Sequence, residues 1–280
     1  MQSEYVPEGQ GRAVQVARDP VAFRGDTLQC ATVMGGKVFI GTSGWHYKHW
    51  LGLFYPEKFR PNQMLEFYAH HFNTVELNNS FYHLPRLTAF DNWHDSTPRG
   101  FVFAVKGSRF ITHMKKLKDP ESSTDKFFLG AERLQEKLGP ILFQLPPHWK
   151  LNLQRLDEFL RSLPNGHRYA FEFRDASWLV NDLYELLRQH NAAFCIHDLA
   201  GQQTPLEVTA DFTYVRFHGP GEAKYAGSYS TEALRVWAKR VKEWKNHSGG
   251  IYMYFNNDIG GHAPKNALEL KELIREFTRL

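Results

Sequence analysis

Eight short runs of strand-forming residues recur along this chain, each followed by enough residues for a connection. That rhythm restricts the fold more than any other feature. The runs cover residues 38–42, 74–78, 101–106, 141–144, 169–174, 193–198, 213–218 and 251–256. Between them, apolar residues return every three or four positions, as one face of a helix requires. Met64, Phe67, Tyr68 and His71 do so before the second run, and Phe127, Ala131, Leu134 and Leu138 before the fourth. Leu153, Leu156, Leu160 and Leu163, then Leu234, Trp237, Val241 and Trp244, and finally Ala267, Leu270, Ile274 and Phe277 continue the pattern. Only the connection at 198–210, short and broken by Pro205, leaves no room for a proper helix. Strands alternating with helices predict a parallel sheet, and eight of them close most simply into a single (β/α)8 TIM-type barrel over residues 37–280. The sixth helix is expected to be short or missing. An open doubly wound sheet is the alternative, but the first run ends in IGTSGW, without the GxGxxG turn of a dinucleotide fold. Residues 1–36 are polar and aperiodic, and read as an N-terminal tail appended to the barrel.

In a barrel of this kind the site is built where the strands end. The runs end on Ser43, on Glu76 and Asn78, on Lys106, on Gln144, on Glu172 and Arg174, on His197 and Asp198, on Arg216 and His218, and on Asn256, Asn257 and Asp258. Strands become polar where they meet water, and that explains one or two such ends. It explains poorly a full ring with charges two residues apart. In YAFEFRDASW (169–178) a period of two puts Glu172 and Arg174 on one face and Phe171 and Phe173 on the other. The phenylalanines then meet helices and the charges point into the barrel mouth.

The net charge of +4 is mild, and no basic run exceeds Lys115-Lys116, so composition alone makes no case for nucleic acid. With only Cys30 and Cys195, a disulfide framework and a cysteine zinc site are excluded, which points to a reducing compartment. No apolar run reaches membrane-spanning length and no signal-peptide core is seen, so a cytoplasmic protein without membrane association is expected.

The segments IGTSGWHYKHWLGLFYP (40–56), YAHHFNTVELNNSFYHLP (68–85), FVFAVKGSRFITHMKKL (101–117), LGPILFQLPP (138–147), FEFRDASW (171–178), TYVRFHG (213–219) and YFNND (254–258) resemble the YecE-like family, a TIM-barrel domain of unknown function. The resemblance runs from about Val38 to the C-terminus. It marks Ser43, Gly44, Trp45, Glu76, Asn78, Phe81, Tyr82, Lys106, His113, Gln144, Glu172, Arg174, Trp178, Asp198, Arg216, His218, Gly219, Asn256, Asn257 and Asp258. Two positions depart from the family pattern. Asp175 stands where histidine is common, and Asn79-Ser80 where a Ser-Thr or Asn-Thr pair is common. The resemblance implies the fold and a set of positions, and no reaction.

Carboxylates beside fixed cations suit an anionic, phosphate- or carboxylate-bearing substrate: arginine clamps the charge while a carboxylate or histidine moves a proton. Glu76, Glu172, Asp198 and His218 are the candidate catalytic residues. Ser43, Trp45, Asn78, Tyr82, Lys106, His113, Gln144, Arg174, Trp178, Arg216, Asn256, Asn257 and Asp258 are the candidate substrate contacts. No cofactor is expected. Three alternatives stand beside this one. A divalent metal on Glu76, Glu172, Asp198 and His218 would support phosphodiester cleavage, although the mouth's cations would repel it. A non-catalytic binder would hold an anionic metabolite or single-stranded nucleic acid through the basic loop KGSRFITHMKKLKD and the rings of Phe81, Tyr82 and Tyr225. A glycosidase would use the two glutamates with Trp45, Trp50 or Trp178, but the glutamates lie almost across the barrel. Glu172 paired with Arg174 is equally what a purely structural ion pair would look like.

Overall fold

The computed structural model describes residues 36–199, 202–221 and 225–279; the tail expected over residues 1–36 lies outside them except for Gly36. The alternating runs form β1 (Lys37–Thr42), β2 (Thr74–Leu77), β3 (Val102–Lys106), β4 (Leu138–Gln144), β5 (Tyr169–Glu172), β6 (Ala193–Leu199), β8 (Thr213–Phe217) and β9 (Gly250–Phe255). Neighbours along the order β1-β9-β8-β6-β5-β4-β3-β2 are all parallel. The two ends of that order meet at a parallel bridge between Ser43 and Glu76, where the Gly44 N–H donates to the Glu76 carbonyl at 2.8 Å. Gly44 has a φ of +89°, a left-handed turn that glycine makes without a Cβ penalty. The product is the nearly closed, eight-stranded parallel barrel of the (β/α)8 class.

Helices cover its outside: α1 (Met64–His71), α3 (Leu87–Asp95), α4 (Pro120–Ala131), α5 (Leu153–Ser162), α6 (Asn181–Gln189), α7 (Thr231–Trp244) and α8 (His262–Arg279), while the single turn α2 (Asn79–Tyr82) sits at the mouth. Two of them start on side-chain caps. Asn152 accepts from the Arg155 N–H at 2.9 Å and Ser230 from the Ala233 N–H at 3.2 Å, each satisfying an otherwise orphaned donor. Between β6 and β8 no helix forms among the described residues. The two-residue strand β7 (Gln202–Gln203) instead folds back antiparallel on the end of β6. None of the described helices is long and apolar enough to cross a membrane.

Alternation along the strands separates two bodies of buried residues. Outward positions such as Ile40, Val75, Phe103, Phe143, Phe171, Phe194, Val215 and Met253 pack with the helices. Inward positions fill the barrel with Phe39, Ala104, Leu142, Ala170, Ala193, Cys195, Tyr214, Tyr252 and Tyr254. The alanines on β3, β5 and β6 leave the volume that the tyrosines of β8 and β9 occupy, and the Tyr214 and Tyr254 rings lie 5.4 Å apart.

All eight strands lie where the runs are read, with ends shifted by one to three residues. β2 ends at Leu77 and β5 at Glu172, so Asn78 and Arg174 extend just beyond the ladders. The helix before β4 stops at Ala131, and Leu138 belongs to the strand. Gln135, at a φ of +50°, breaks the helical path. Pro140 disfavours helix at Gly139, so the chain enters β4 three residues early, with a register shift against β3.

Candidate functional site

Immediately above the tyrosine layer the lumen holds a layer of charge, formed by the next inward residue of β2, β3, β5 and β8. Glu76, Glu172, Arg216 and His218 are each at most 1% exposed, and Lys106 is 8% exposed. Arg216 joins the two carboxylates across the barrel: Nη2 donates to Glu76 Oε1 at 2.7 Å and Nη1 to Glu172 Oε2 at 2.5 Å. Glu76 Oε1 also accepts from Ser43 Oγ at 2.5 Å, and Oε2 from the Tyr214 hydroxyl at 2.7 Å. The other oxygen of Glu172 accepts from Arg174 Nε. Both oxygens of each glutamate are therefore engaged by donors. Burial alone would raise the Glu172 carboxyl, but the Arg174 and Arg216 charges outweigh it and hold it well below the usual carboxylate range.

Arg174 continues the chain to His218, its Nη2 donating to Nε2 at 3.0 Å. Guanidinium only donates, so Nε2 is an acceptor and the imidazole is neutral, consistent with burial pushing its pKa well down. Nδ1 then carries the ring proton, and the Asn256 side-chain amide lies 3.1 Å from it. Two glutamates and two arginines thus form a closed, charge-balanced network.

Lys106 stands apart from that network. Its ammonium nitrogen lies 4.1 Å from the centre of the Phe81 ring and has no hydrogen-bond acceptor among the described residues. Burial first, and then the Arg216 charge, push its pKa down to about 7, against a smaller upward pull from Glu172 and Glu76. A lysine held this way lowers stability, because between about pH 7 and its ordinary value of 10.5 the unfolded chain keeps a proton that the folded chain has released. Wild-type stability should therefore rise with pH across that window. Lys106→Met is expected to stabilise the protein by about 0.5–2 kcal/mol at neutral pH, raising the thermal midpoint, with the advantage fading toward pH 10. Thermal melts of both proteins from pH 6 to 10 check this; a destabilised variant would mean that the amine braces the mouth.

The remaining expected residues divide into those at the mouth and those elsewhere. Trp45, Asn78 and the 64%-exposed Tyr82 line a cleft of about 550 Å³ beside the mouth, together with Tyr47 and Trp93. Gln144 sits in register with Glu172. The His113 ring lies 5.1 Å from Phe81, and burial with the Lys106 charge pushes its pKa down to about 4. Asp258 reaches His49, which bonds its backbone carbonyl at 2.8 Å.

Three expected residues face elsewhere. Trp178 is fully buried outside the barrel, its ring tilted against Phe173 at 4.9 Å and its indole N–H donating to the Trp149 carbonyl at 2.6 Å. It anchors a loop. Asn257 is fully buried as well, its amide donating to the Gly227 carbonyl at 2.9 Å and to Asn266 at 3.0 Å. Asp198 alternates with His197, so it points away from the lumen, where it accepts from the Tyr229 hydroxyl and, at 3.1 Å, from the His218 N–H. Burial pushes its pKa up to about 6. Trp50, a candidate sugar platform, is also fully buried in the core.

In place of Asp198 the lumen face of β6 carries His197, 5.9 Å from the His218 ring and with its pKa pushed by burial down to about 4. The same alternation that identifies Cys195 as inward also identifies His197. Tyr214, the hydroxyl partner of Glu76, lies on the face already assigned to Arg216 and His218. Among the described residues no group of three or more histidine, cysteine, aspartate or glutamate side chains is arranged to hold a metal ion.

A family model described as "Protein of unknown function DUF72" matches residues 39–279. The UPF0759 protein YunF of Bacillus subtilis (strain 168) is 28% identical over 270 residues, covering 85% of this chain and 94% of its own. The UPF0759 protein YecE of Escherichia coli (strain K12) is 23% identical over 265 residues, covering 85% and 93%. Among solved structures, a DUF72 family protein from Thermotoga maritima MSB8 superposes with a TM-score of 0.78 at 33% identity, over 85% of this chain and 99% of that one. A DUF72 family protein from Enterococcus faecalis V583 shares the fold, with a TM-score of 0.72 at 20% identity over 85% and 95%. A match over nearly the whole barrel, in sequence and in structure, places this chain in the DUF72 family, the YecE-like group whose motifs it carries.

Proposed function

We propose that this chain is an enzyme that binds a small anionic substrate at the carboxyl-end mouth of its barrel, with Lys106 as the group that moves the proton. The observation that carries this reading is Lys106: a side chain only 8% exposed, its amine without a protein acceptor among the described residues and set beside a charge-balanced network. A general acid or base works best when its pKa lies near the working pH. Glu172 is held too acidic to carry a proton at neutral pH, and both of its oxygens are engaged. Lys106, near 7, meets the requirement. An arriving carboxylate or phosphate would find the protonated amine as the one cation of the inner mouth not already paired with a carboxylate, among the described residues. The ammonium form would attract the anion and, as the group that moves the proton, give that proton up to leave the free amine.

The two carboxylates act in this reading as fixed anions that position Arg174 and Arg216. The metal-assisted alternative would need some of their oxygens freed from arginine. The nucleic-acid alternative rests on the loop after β3, where Phe110 and Met114 are exposed beside Arg109 and Lys115.

The test is a thermal-shift panel of small carboxylates and phosphate esters on the wild type and on Lys106→Met. A ligand at a hundredfold excess over its dissociation constant adds about 2.7 kcal/mol. For a domain of this size that corresponds to roughly 5–10 °C. At least one anion should produce such a shift in the wild type and lose it in the variant. Equal shifts in both proteins would remove Lys106 from the site. A response to single-stranded oligonucleotide alone, weakening steeply with salt, would favour the binding module.

A further inference from the structure

We infer that Lys106 is a nucleophile toward carbonyl compounds, and that the substrate of this mouth is an aldehyde or ketone bearing a carboxylate or phosphate, captured as an imine. The inference rests on the anion-binding reading above and adds the identity of the reacting group. Lysine forms imines only as the free amine, and desolvation is the usual way a protein supplies it. Here the desolvation is geometric. The amine projects from the last residue of β3, is covered by the Phe81 ring at 4.1 Å, and is 8% exposed. The groups that face it are Glu76 from β2, Glu172 and Arg174 from β5, Arg216 from β8, and His113 from the turn after β3. In that set the glutamates are already bound to arginine or to neutral hydroxyls, so neither captures the lysine in an ion pair.

The step balances without an oxidant or a further reactant. The nitrogen lone pair attacks the carbonyl carbon, and the carbonyl π pair moves to oxygen, which takes one of the two amine protons to give a carbinolamine. That oxygen then takes the second amine proton and leaves as water while the nitrogen pair forms the C=N bond. Amine and carbonyl give imine and water. An apolar ring against the nitrogen limits the local water and so opposes the reverse hydrolysis. When protonated, the imine carries its charge where the ammonium stood, facing the same two carboxylates.

Reductive trapping tests this on the intact protein. Glyoxylate, and separately pyruvate, would be incubated with the protein and sodium cyanoborohydride from pH 6 to 9, with propanal as the uncharged control. Adducts would be mapped by peptide mass spectrometry. At pH 7 a lysine with a pKa near 7 presents roughly a thousandfold more free amine than an ordinary one. Lys106 should therefore be labelled at least tenfold faster than any surface lysine, with a half-maximal rate near pH 7. The oxo acids should label it faster than propanal does, and Lys106→Arg, which keeps the charge, should show only the slow background. Labelling spread evenly over the lysines would overturn the inference. If small carboxylates stabilise the protein as proposed while neither oxo acid labels Lys106, the carbonyl chemistry falls and the anion site stands. If neither happens, both fall.

Discussion

Glu172→Gln is expected to destabilise the protein by about 3–5 kcal/mol, because removing one member of a buried ion network leaves its partners charged and uncompensated. For a barrel of this size that is a loss of roughly 10 °C in thermal midpoint. The carboxylate accepts from Arg174 on one oxygen and from Arg216 on the other, and none of the three side chains is more than 8% exposed. A glutamine in the same place can accept through one atom only, and it turns an amide N–H₂ toward one of the two guanidiniums. Whichever arginine it faces is then buried against a donor. The alternation of YAFEFRDASW leaves two roles open for Glu172, a proton carrier or a holder of Arg174. Both oxygens of Glu172 being taken by arginine favours the second and adds Arg216. Calorimetry or circular-dichroism melts of the variant check it; a midpoint within a degree or two of wild type would restore Glu172 as a candidate acid or base.

What was legible in the sequence and what was not follows from the range of each physical rule. Period-two alternation is local, so it identifies the inward faces of β3 and β8 one strand at a time: Ala104 with Lys106, and Tyr214 with Arg216 and His218. It also separates His197 from Asp198 and Asn256 from Asn257: Asp198 and Asn257 are polar residues at a strand end, but alternation turns their side chains away from the lumen. Trp178 lies beyond the end of β5 in a short helical turn, where a period of two no longer applies. The Arg216 fork onto both glutamates was not legible at all. It joins β8 to β2 and to β5, and which side chains meet across a barrel depends on its closure and stagger, which no single strand encodes. Lys106 was legible as a cation of the mouth, but its lack of an acceptor emerges only once the arginines are seen to be taken by the glutamates.

Arg216→Met should be at least as damaging as Glu172→Gln, and its effect should depend on pH in a direction the network dictates. The substitution leaves Glu76 with only the Ser43 and Tyr214 hydroxyls, and Glu172 with Arg174 alone. At neutral pH two carboxylates are then buried with Arg174 as the one arginine between them and Lys106, its pKa near 7, only partly charged, so a loss of about 3–5 kcal/mol is expected. In the wild type the folded pKa of Glu172 lies below its unfolded value, which is near 4.5. Its ion pairs therefore contribute their full stability above about pH 4.5, and that contribution is lost as the pH falls through the folded value. In the variant the burial of Glu172 is opposed by one cation instead of two, so its folded pKa rises and protonation relieves the strain at higher pH. The gap between the two proteins should accordingly be widest near pH 7 and narrow toward pH 4. Chemical denaturation across that range measures it directly. A gap that stays constant would mean the loss comes from the missing packing volume of the arginine, and that the two glutamates are not held by its charge.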